Sequence, residues 1–349
     1  MAGSGLLVPV VNVFTNGRAL APEVELVGVT VDDTVDLPGM FAVDILNSDA
    51  ASGELILDQQ QFAVGDEVEI KLGYGVTLTS VMKGEITGIE AEFTSSTLPK
   101  MTVRGYDRRH RLQRGRKSRT FLKQTDSAIA KKIAQEAGLA ANTKDSGVQY
   151  DYVLQANQTD MEFLLERAGR IQYSLTIDDR TLNFLPVANA AGSLLTLTLK
   201  DDLMEFSSRL SSIGQVDQTT IRGWDPKQKQ ALIGEGREAS ITTKMGGSRS
   251  GATVAKRAFG DAIGTTTDSP VMTQAEADAV AKAAINTSVL GFMSGEGLCA
   301  GRTDLRAGTV ITLGGLGKQF SGQYYVTTVS HRCGEGGYTT RFTVRRNAV

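Results

Sequence analysis

Cysteine, histidine and tryptophan are nearly missing from this 349-residue chain, which has two, two and one of them. Two cysteines, Cys299 and Cys333, exclude a disulfide framework and a four-cysteine zinc site. They fit a protein made in a reducing cytosol. The two histidines, His110 and His331, sit in no recognisable nucleophile motif, so histidine-based nucleophilic catalysis has little support. Net charge is also missing: 37 Lys and Arg face 39 Asp and Glu, a balance of −2. Phosphate binding usually shows as a basic excess, so a dedicated nucleic-acid binder is not expected. No apolar run approaches the roughly 18 residues that a membrane helix needs. Met1 to Phe14 has no basic start, and Pro9 interrupts its apolar stretch, so no secretory signal is expected.

What is abundant is glycine, at 38 residues, among short alternating runs of Val, Thr and Gly. Such runs read as many short strands joined by tight turns. The regular strand–helix alternation of a doubly wound α/β enzyme is not there. The length suggests two or three domains.

The first hundred residues read as antiparallel β. Val8 to Phe14 lead to Asn16-Gly17, a strong hairpin signal. Val24 to Val31 follow, then a Pro38-Gly39 turn and the alternation of Phe41, Val43 and Ile45. Val68, Ile70 and Leu72 alternate with Glu69 and Lys71, the pattern of a strand with one wet face. Ile86, Ile89 and Met101 to Val103 mark further strands, enough for a small barrel or sandwich. From Arg104 to Arg119 basic residues cluster around one acid, Asp107, and a domain boundary is placed there.

The next stretch is α+β. Ile129, Ala130, Ile133, Ala134 and Ala137 form a helical stripe that Gly138 stops. Val148, Tyr150, Tyr152 and Leu154 alternate as a strand. Thr159 with Glu162 predicts a capping box, followed by Met161, Leu164, Leu165 and Ala168 as the apolar face. Tyr173 to Phe184 reads as a hairpin turning at Asp178-Asp179. The chain is β again from Leu194 to Trp224. Residues 234 to 272, rich in Gly, Ser, Thr and Ala, read as a mobile insertion with at most a short helix near Thr253 to Phe259. Thr273 with Glu276 predicts a second capping box and a helix through Ala277, Val280, Ala281 and Ala284. The last fifty residues read as β, in Val310 to Leu313, Tyr324 to Val329 and Arg341 to Val344.

The most informative feature is an internal repeat. Ile70, Leu72 and Gly73 fall on Ile311, Leu313 and Gly314 once one residue is deleted. Met82-Lys83-Gly84 corresponds to Phe320-Ser321-Gly322. Ile86 to Ile89 meets Val326 to Val329 after a short shift, and Thr102-Val103-Arg104 meets Thr343-Val344-Arg345. Strands draw on few residue types, so no block is specific alone; their shared order and spacing point to duplication. The expected fold is mainly β with an α+β insertion, built on two similar antiparallel β-barrel domains. The boundaries are 1–107 for the first β domain and 108–193 for the α+β part. The second β domain is 194–349, with the Gly/Ser/Thr/Ala-rich and helical insertion at about 230–298.

Four runs carry a family resemblance. Gly105-Tyr106-Asp107-Arg108-Arg109-His110-Arg111-Leu112, with the basic stretch, Phe121 and the Ile129 helix after it, resembles the phage late-control gene D family. Those are tail-hub proteins of contractile phages and related injection machines. Gln155 to Leu164 is similar to a second signature and Arg222-Gly223-Trp224-Asp225-Pro226 to a third. Gly308 to Leu313, Phe320 to Val326, His331 and Tyr338 are similar to a fourth. The resemblance spans nearly the whole chain. It implies a homotrimeric baseplate hub, two similar barrels per chain set in a ring around a channel. Such a ring joins a threefold spike to a sixfold inner tube. The implied partners are a spike or needle-tip protein, the inner tube or its initiator, and baseplate wedge or adaptor proteins. The implied site of assembly is the bacterial cytoplasm, and the implied location a phage tail or injection particle. Relatives in type VI spikes continue into a needle; this sequence stops at Val349, so the needle is expected to be a separate protein.

Chemistry has bland competitors throughout. Arg108, Arg109, Arg111, Arg114, Arg116, Lys117 and Arg119 could meet phosphates, line a channel, or pair with acidic neighbours at an interface. Only Tyr106 and Phe121 flank them, poor interleaving for single strands. His331 and Cys333, two apart on a strand, share a face and could be half a metal site; a structural histidine and a small buried thiol are the expected reading. Asp178-Asp179 and Asp201-Asp202 read as solvated turns rather than a hydrolase pair. Gly314 to Lys318 fails as a phosphate loop, since Thr312 replaces the first glycine and no helix is expected after it. No catalytic residue, metal ligand or cofactor is expected. A tail-associated cell-wall hydrolase, or a nucleic-acid or cargo-binding module, is the alternative to the hub.

Overall fold

The computed structural model describes residues 8–47, 61–96, 98–225, 227–267 and 270–349. Pro226 of the third signature and Met1 to Leu7 lie outside the described residues. Strands hold 50% of the described residues and helices 19%, so the fold is mainly β with small helical insertions.

The first strands are β1 (Pro9–Thr15), β2 (Arg18–Ala19), β3 (Leu26–Thr34), β4 (Met40–Leu46), β5 (Glu67–Tyr74), β6 (Thr77–Glu92) and β7 (Lys100–Asp107). A tight helical turn, Arg108–Gln113, leads to β8 (Lys117–Thr125) and α1 (Asp126–Glu136). Then come β9 (Ala140–Thr143), β10 (Gln149–Gln158), α2 (Asp160–Arg170), β11 (Tyr173–Asp178) and β12 (Thr181–Pro186). β13 (Thr196–Thr198), β14 (Leu203–Leu210), β15 (Gln218–Asp225) and β16 (Gln230–Arg237) precede α3 (Gly251–Phe259) and β17 (Ile263–Thr266). The chain ends with α4 (Gln274–Leu290), β18 (Met293–Ala300), β19 (Val310–Gly314), α5 (Gly317–Phe320), β20 (Gly322–Gly334) and β21 (Gly337–Arg346).

Two compact units result. The first holds the described residues up to His110, with Leu298–Ala307 and Thr328–Phe342. Its ladder runs β20, β3, β4, β7, β6, β5, β1, β2. The turn between β1 and β2 has φ of 50° at Asn16 and 78° at Gly17, the left-handed pair that a two-residue hairpin turn requires. Alternate residues point inward: Val29 and Val31, Phe41, Val43 and Ile45, Val68, Ile70 and Leu72 are buried in one core. The closed barrels expected from the strand count are not found among the described residues. The ladder stops at β2, which offers only two residues for pairing.

The repeat is visible as strand order. β5, β6 and β7 are consecutive neighbours, and so are β19, β20 and β21. Ile70 and Ile311, Leu72 and Leu313, and Val103 and Val344 are buried in both copies. The registers of β5 on β6 and of β6 on β7 slip between Ile70 and Lys71 and between Ile86 and Gly88. The outer neighbours differ: β1 runs antiparallel to β5, whereas β13 runs parallel to β19.

The second unit holds Arg111–Gly297, Gly308–Thr327 and Thr343–Val349. It contains the ribbon β8–β10, the sheet β11–β12–β9 and the sheet β16–β15–β17. Helix α1 starts at Thr125, whose side chain accepts from Ala128 N, and Gly138 at φ 71° follows its end. The Thr159–Glu162 capping box is complete at α2. At α4 only half of the predicted box forms: Thr273 accepts from Glu276 N, but Glu276 turns to Met272 N at 2.8 Å and to Arg170 at 2.8 Å. The expected mobile stretch over 234–272 instead carries the end of β16, α3 and β17, with Asp268 and Ser269 outside the described residues. Its glycines serve close approach: a Cβ at Gly234 or Gly236 would lie 2.1 or 2.3 Å from carbonyl oxygens of α4. A single helical turn, α5, does follow Gly314 to Leu316, too short to bind an anion at its start.

Gly105 tests the first core. A Cβ there would lie 2.1 Å from Glu85 O and 2.3 Å from Phe41 Cζ. Gly105→Ala should lower the unfolding free energy by roughly 2–4 kcal/mol, the range of severe overpacking. Denaturant titration measures this, and an unchanged midpoint contradicts the packing.

Candidate functional site

The basic segment after β7 divides in two. Its first half is internal to the first unit. Arg108 and Arg109 are 3% and 2% exposed, because the turn that begins at Arg108 folds them under the sheet. Arg109 Nη2 donates to Asp107 Oδ2 at 2.7 Å and its Nε to the same oxygen at 3.0 Å. Both of its terminal nitrogens reach Thr34 O at 3.2 Å. Asp107 Oδ2 also accepts from Gly39 N at 2.5 Å. Arg108 meets Glu67 at 3.2 Å and Glu85 at 3.4 Å, and His110 Nε2 lies 2.8 Å from Glu85. Such charges are buried only when paired. The structure places Arg108 and Arg109 inside the unit, each against a carboxylate.

The second half belongs to the second unit. Arg111 is half-buried and Arg114 exposed. Arg116 pairs with Glu162 at 3.1 Å and donates to Asn157 O at 2.7 Å. Lys117 donates to Asp160 Oδ2 at 2.6 Å. Arg119 donates to Asp160 Oδ1 at 2.7 Å, to Gln155 Oε1 at 2.7 Å, and to Glu136. Asp160 and Gln155 are buried and joined to each other at 3.0 Å. The basic run and the Gln155–Leu164 motif, separate in sequence, thus form one network. Asp160 sits in the first turn of α2, where the helix dipole also favours a carboxylate.

One cluster was not read from the sequence. Arg167 Nε donates to Asp126 Oδ1 at 2.5 Å, Tyr150 Oη to Asp126 Oδ2 at 3.0 Å, and the guanidinium lies 4.4 Å from the Tyr150 ring centre. Burial, then the Asp126 charge, pushes the Tyr150 hydroxyl up beyond its ordinary range. The i, i+3 pattern marks Leu164 and Ala168 as core but gives no sign that Arg167 faces inward with them.

Strand β10 forms where the alternation places it, but the alternation changes phase along it. Tyr150 is buried, but Tyr152 and Leu154 face outward, while Val153 and Gln155 face in. Between the Tyr150–Gln124 and Tyr152–Leu122 pairs lies Lys123 at φ 51°, a break in the pleat that changes the phase of the alternation.

His331 and Cys333 are both buried, and no group of three or more metal-ligating side chains occurs among the described residues. His331 Nδ1 lies 3.0 Å from Tyr338 Oη and 3.1 Å from Thr340 Oγ1. Of the acid pairs, Asp179 turns the β11–β12 hairpin at φ 49°, and Asp201 and Asp202 are exposed. Among the described residues no helix is long and apolar enough to cross a membrane.

Two measurements test these assignments. Asp160→Asn removes the shared carboxylate of Lys117 and Arg119 and should cost roughly 2–4 kcal/mol, as for a broken buried pair. An exposed, dispensable pair would lose under 1 kcal/mol. Burial, then the Arg306 charge, lowers the His331 pKa from 6.5 to about 3. The unfolded chain then takes up a proton that the folded chain refuses. The stability difference between wild type and His331→Gln should be constant above pH 6.5. Below it, wild type should lose ground at ~1.4 kcal/mol per pH unit, down to about pH 3. A flat difference contradicts a neutral buried ring.

Comparison with known proteins places this geometry. No curated protein matches the sequence. Solved structures share the fold over the full length. The 43 kDa tail protein of prophage MuSo2 from Shewanella oneidensis is 13% identical, with TM-score 0.73, covering 97% of this chain and 98% of that one. A tail protein from Neisseria meningitidis is also 13% identical, with TM-score 0.70 and 97% of each chain covered. A component of the type VI secretion system of E. coli, described as similar to T4 tail proteins gp27 and gp5, is 15% identical. Its TM-score is 0.62, with 96% of this chain and 77% of that one covered. The tail-protein fold expected from the four motifs is the fold found. The model of the Alg8 N-terminal domain family matches residues 7–335, nearly the whole chain, and the protein belongs to that family.

Proposed function

We propose that this chain is the baseplate hub of a contractile phage tail or injection apparatus. Three copies form a ring that joins a threefold spike to a sixfold inner tube. The observation that carries the reading is the repeated strand order, β5–β6–β7 and β19–β20–β21, with matching buried positions. A doubled β domain taken three times presents six quasi-equivalent surfaces, and closed rotational symmetry is the usual way for identical chains to bury matching faces. In this reading residues 1–107 and 194–349 supply the two β domains of the ring and 108–193 the α+β part between them. The fold shared with tail proteins supports the same role.

The partners are a spike or needle-tip protein, the inner tube or its initiator, and wedge or adaptor proteins. The ring assembles in the bacterial cytoplasm and ends in a tail or injection particle. Its work is complementary surface rather than bond making. The basic run suits this role more than phosphate binding, since Arg108, Arg109, Arg116, Lys117 and Arg119 each face a carboxylate within the chain.

A sizing column coupled to light scattering tests the reading. The expected mass is that of three chains, with no clearing of cell walls. A monomer at high concentration that digests cell walls would replace the hub with a tail-associated hydrolase. A salt-sensitive complex with DNA would favour the cargo module.

A further inference from the structure

β14, β18, β21 and β20 are neighbours in that order in one sheet. Side chains alternate along them. Met293, Val326 and Val344 are buried, while Ser207, Arg209, Ser294 and Arg345 are exposed. The exposed side carries a hollow of about 380 Å³ within the second unit, with Ser207, Arg209, Ser294, Thr327, Thr343 and Arg345 in its lining. The Thr327 and Thr343 hydroxyls lie 2.7 Å apart there.

Two cations share this hollow. Arg209 is on β14 and Arg345 on β21, the strands that flank β18. Neighbouring strands are about 4.8 Å apart, so the two backbones stand about 10 Å apart and both arginine arms can meet one group over β18. Arg116, Lys117, Arg119 and Arg167 each have a carboxylate partner within the chain. Among the described residues Arg209 and Arg345 have none. Glu296 is the one acid in the lining, and it is already engaged within the chain. Two like charges held in one hollow repel each other, and the hollow focuses their field on a counter-ion.

We propose that this hollow is a binding site for a tetrahedral dianion, a phosphate group, held between the Arg209 and Arg345 guanidiniums. The donor set selects that class. Two guanidiniums and the free Ser207 and Ser294 hydroxyls offer donors in excess, and guanidinium nitrogens accept nothing. A carboxylate would bring one charge and two oxygens. A phosphate group brings close to two charges and three strong acceptor oxygens, which balances the two cations. Each planar guanidinium can then take two oxygens at once. A metal cation is repelled by the same pair. Recognition of nucleic-acid bases needs aromatic faces for stacking, and the lining has none. The group recognised is therefore the phosphate itself.

Isothermal titration of the full chain with inorganic phosphate, at constant ionic strength, tests the site. Wild type is compared with Arg209→Gln/Arg345→Gln and with Arg209→Lys/Arg345→Lys. Both arginines are exposed and unpaired, so the variants should fold with an unchanged circular dichroism spectrum. Wild type should bind one phosphate per chain, with a dissociation constant on the order of 1 mM. The Gln pair should bind roughly tenfold more weakly or not at all. The Lys pair, which keeps the charge and loses the planar forks, should fall between, and it decides if the Gln pair fails to fold. Acetate at the same ionic strength should not displace phosphate. No saturable binding by wild type, equal binding by the Gln pair, or displacement by acetate overturns the site. Competition with a short oligothymidylate, with and without a terminal phosphate, separates the sources of the group. Competition by the phosphorylated strand alone makes a terminal phosphate the ligand, and competition by neither makes it free phosphate; both support the site. Equal competition by the two strands overturns it in favour of a track for polyanions.

Discussion

A guanidinium and a carboxylate buried together at the end of β7 must satisfy each other, and the first unit is arranged so that they do. Asp107 takes two bonds from the Arg109 side chain and one from Gly39 N, while Arg109 spends its remaining donors on Thr34 O. Three strands, β3, β4 and β7, are thereby held at one end in fixed register. Removing either partner would leave an uncompensated charge in the interior, a larger cost than the pair returns when intact. The constraint selects one alignment of strands whose apolar pattern alone would tolerate a slip.

The same principle organises the second unit at a different place. Asp160 collects Lys117 and Arg119, and Asp126 collects Arg167 and Tyr150. The basic run is thereby converted from a field that would attract polyanions into internal fastening. Outward on β8 and β10 stand Leu122, Tyr152 and Leu154.

Much of the fold was legible in the sequence because strands with one buried face announce themselves by alternation. The Asn16-Gly17 turn, β5, the α2 capping box and the end of α1 at Gly138 are local decisions, made by turn chemistry and caps within a few residues. The repeat was legible because Ile70, Leu72 and Val103 must stay buried in both copies, whatever surrounds them. Three features were not. Gly234 and Gly236 look like flexible sequence, yet a helix some forty residues later is what demands their smallness. The phase of β10 changes at a left-handed Lys123, which no alternation rule anticipates. Glu276 leaves its capping partner for Arg170 and Met272 N, contacts that exist only after folding.

Of the basic cluster, the residues were identifiable by composition, but their fates were not. Charge count and spacing are properties of the chain; which carboxylate each cation meets depends on segments brought together from far apart. The sequence by itself determined the strand periodicity, the helix starts and stops, the duplicated order and the neutral balance, because each follows from backbone preferences and side-chain type. Tertiary structure alone decided that Arg108 and Arg109 are interior and that Tyr152 and Leu154 look outward. The physical reason is that burial and ion pairing are settled by desolvation over the whole fold, where distant residues compete for the same partner.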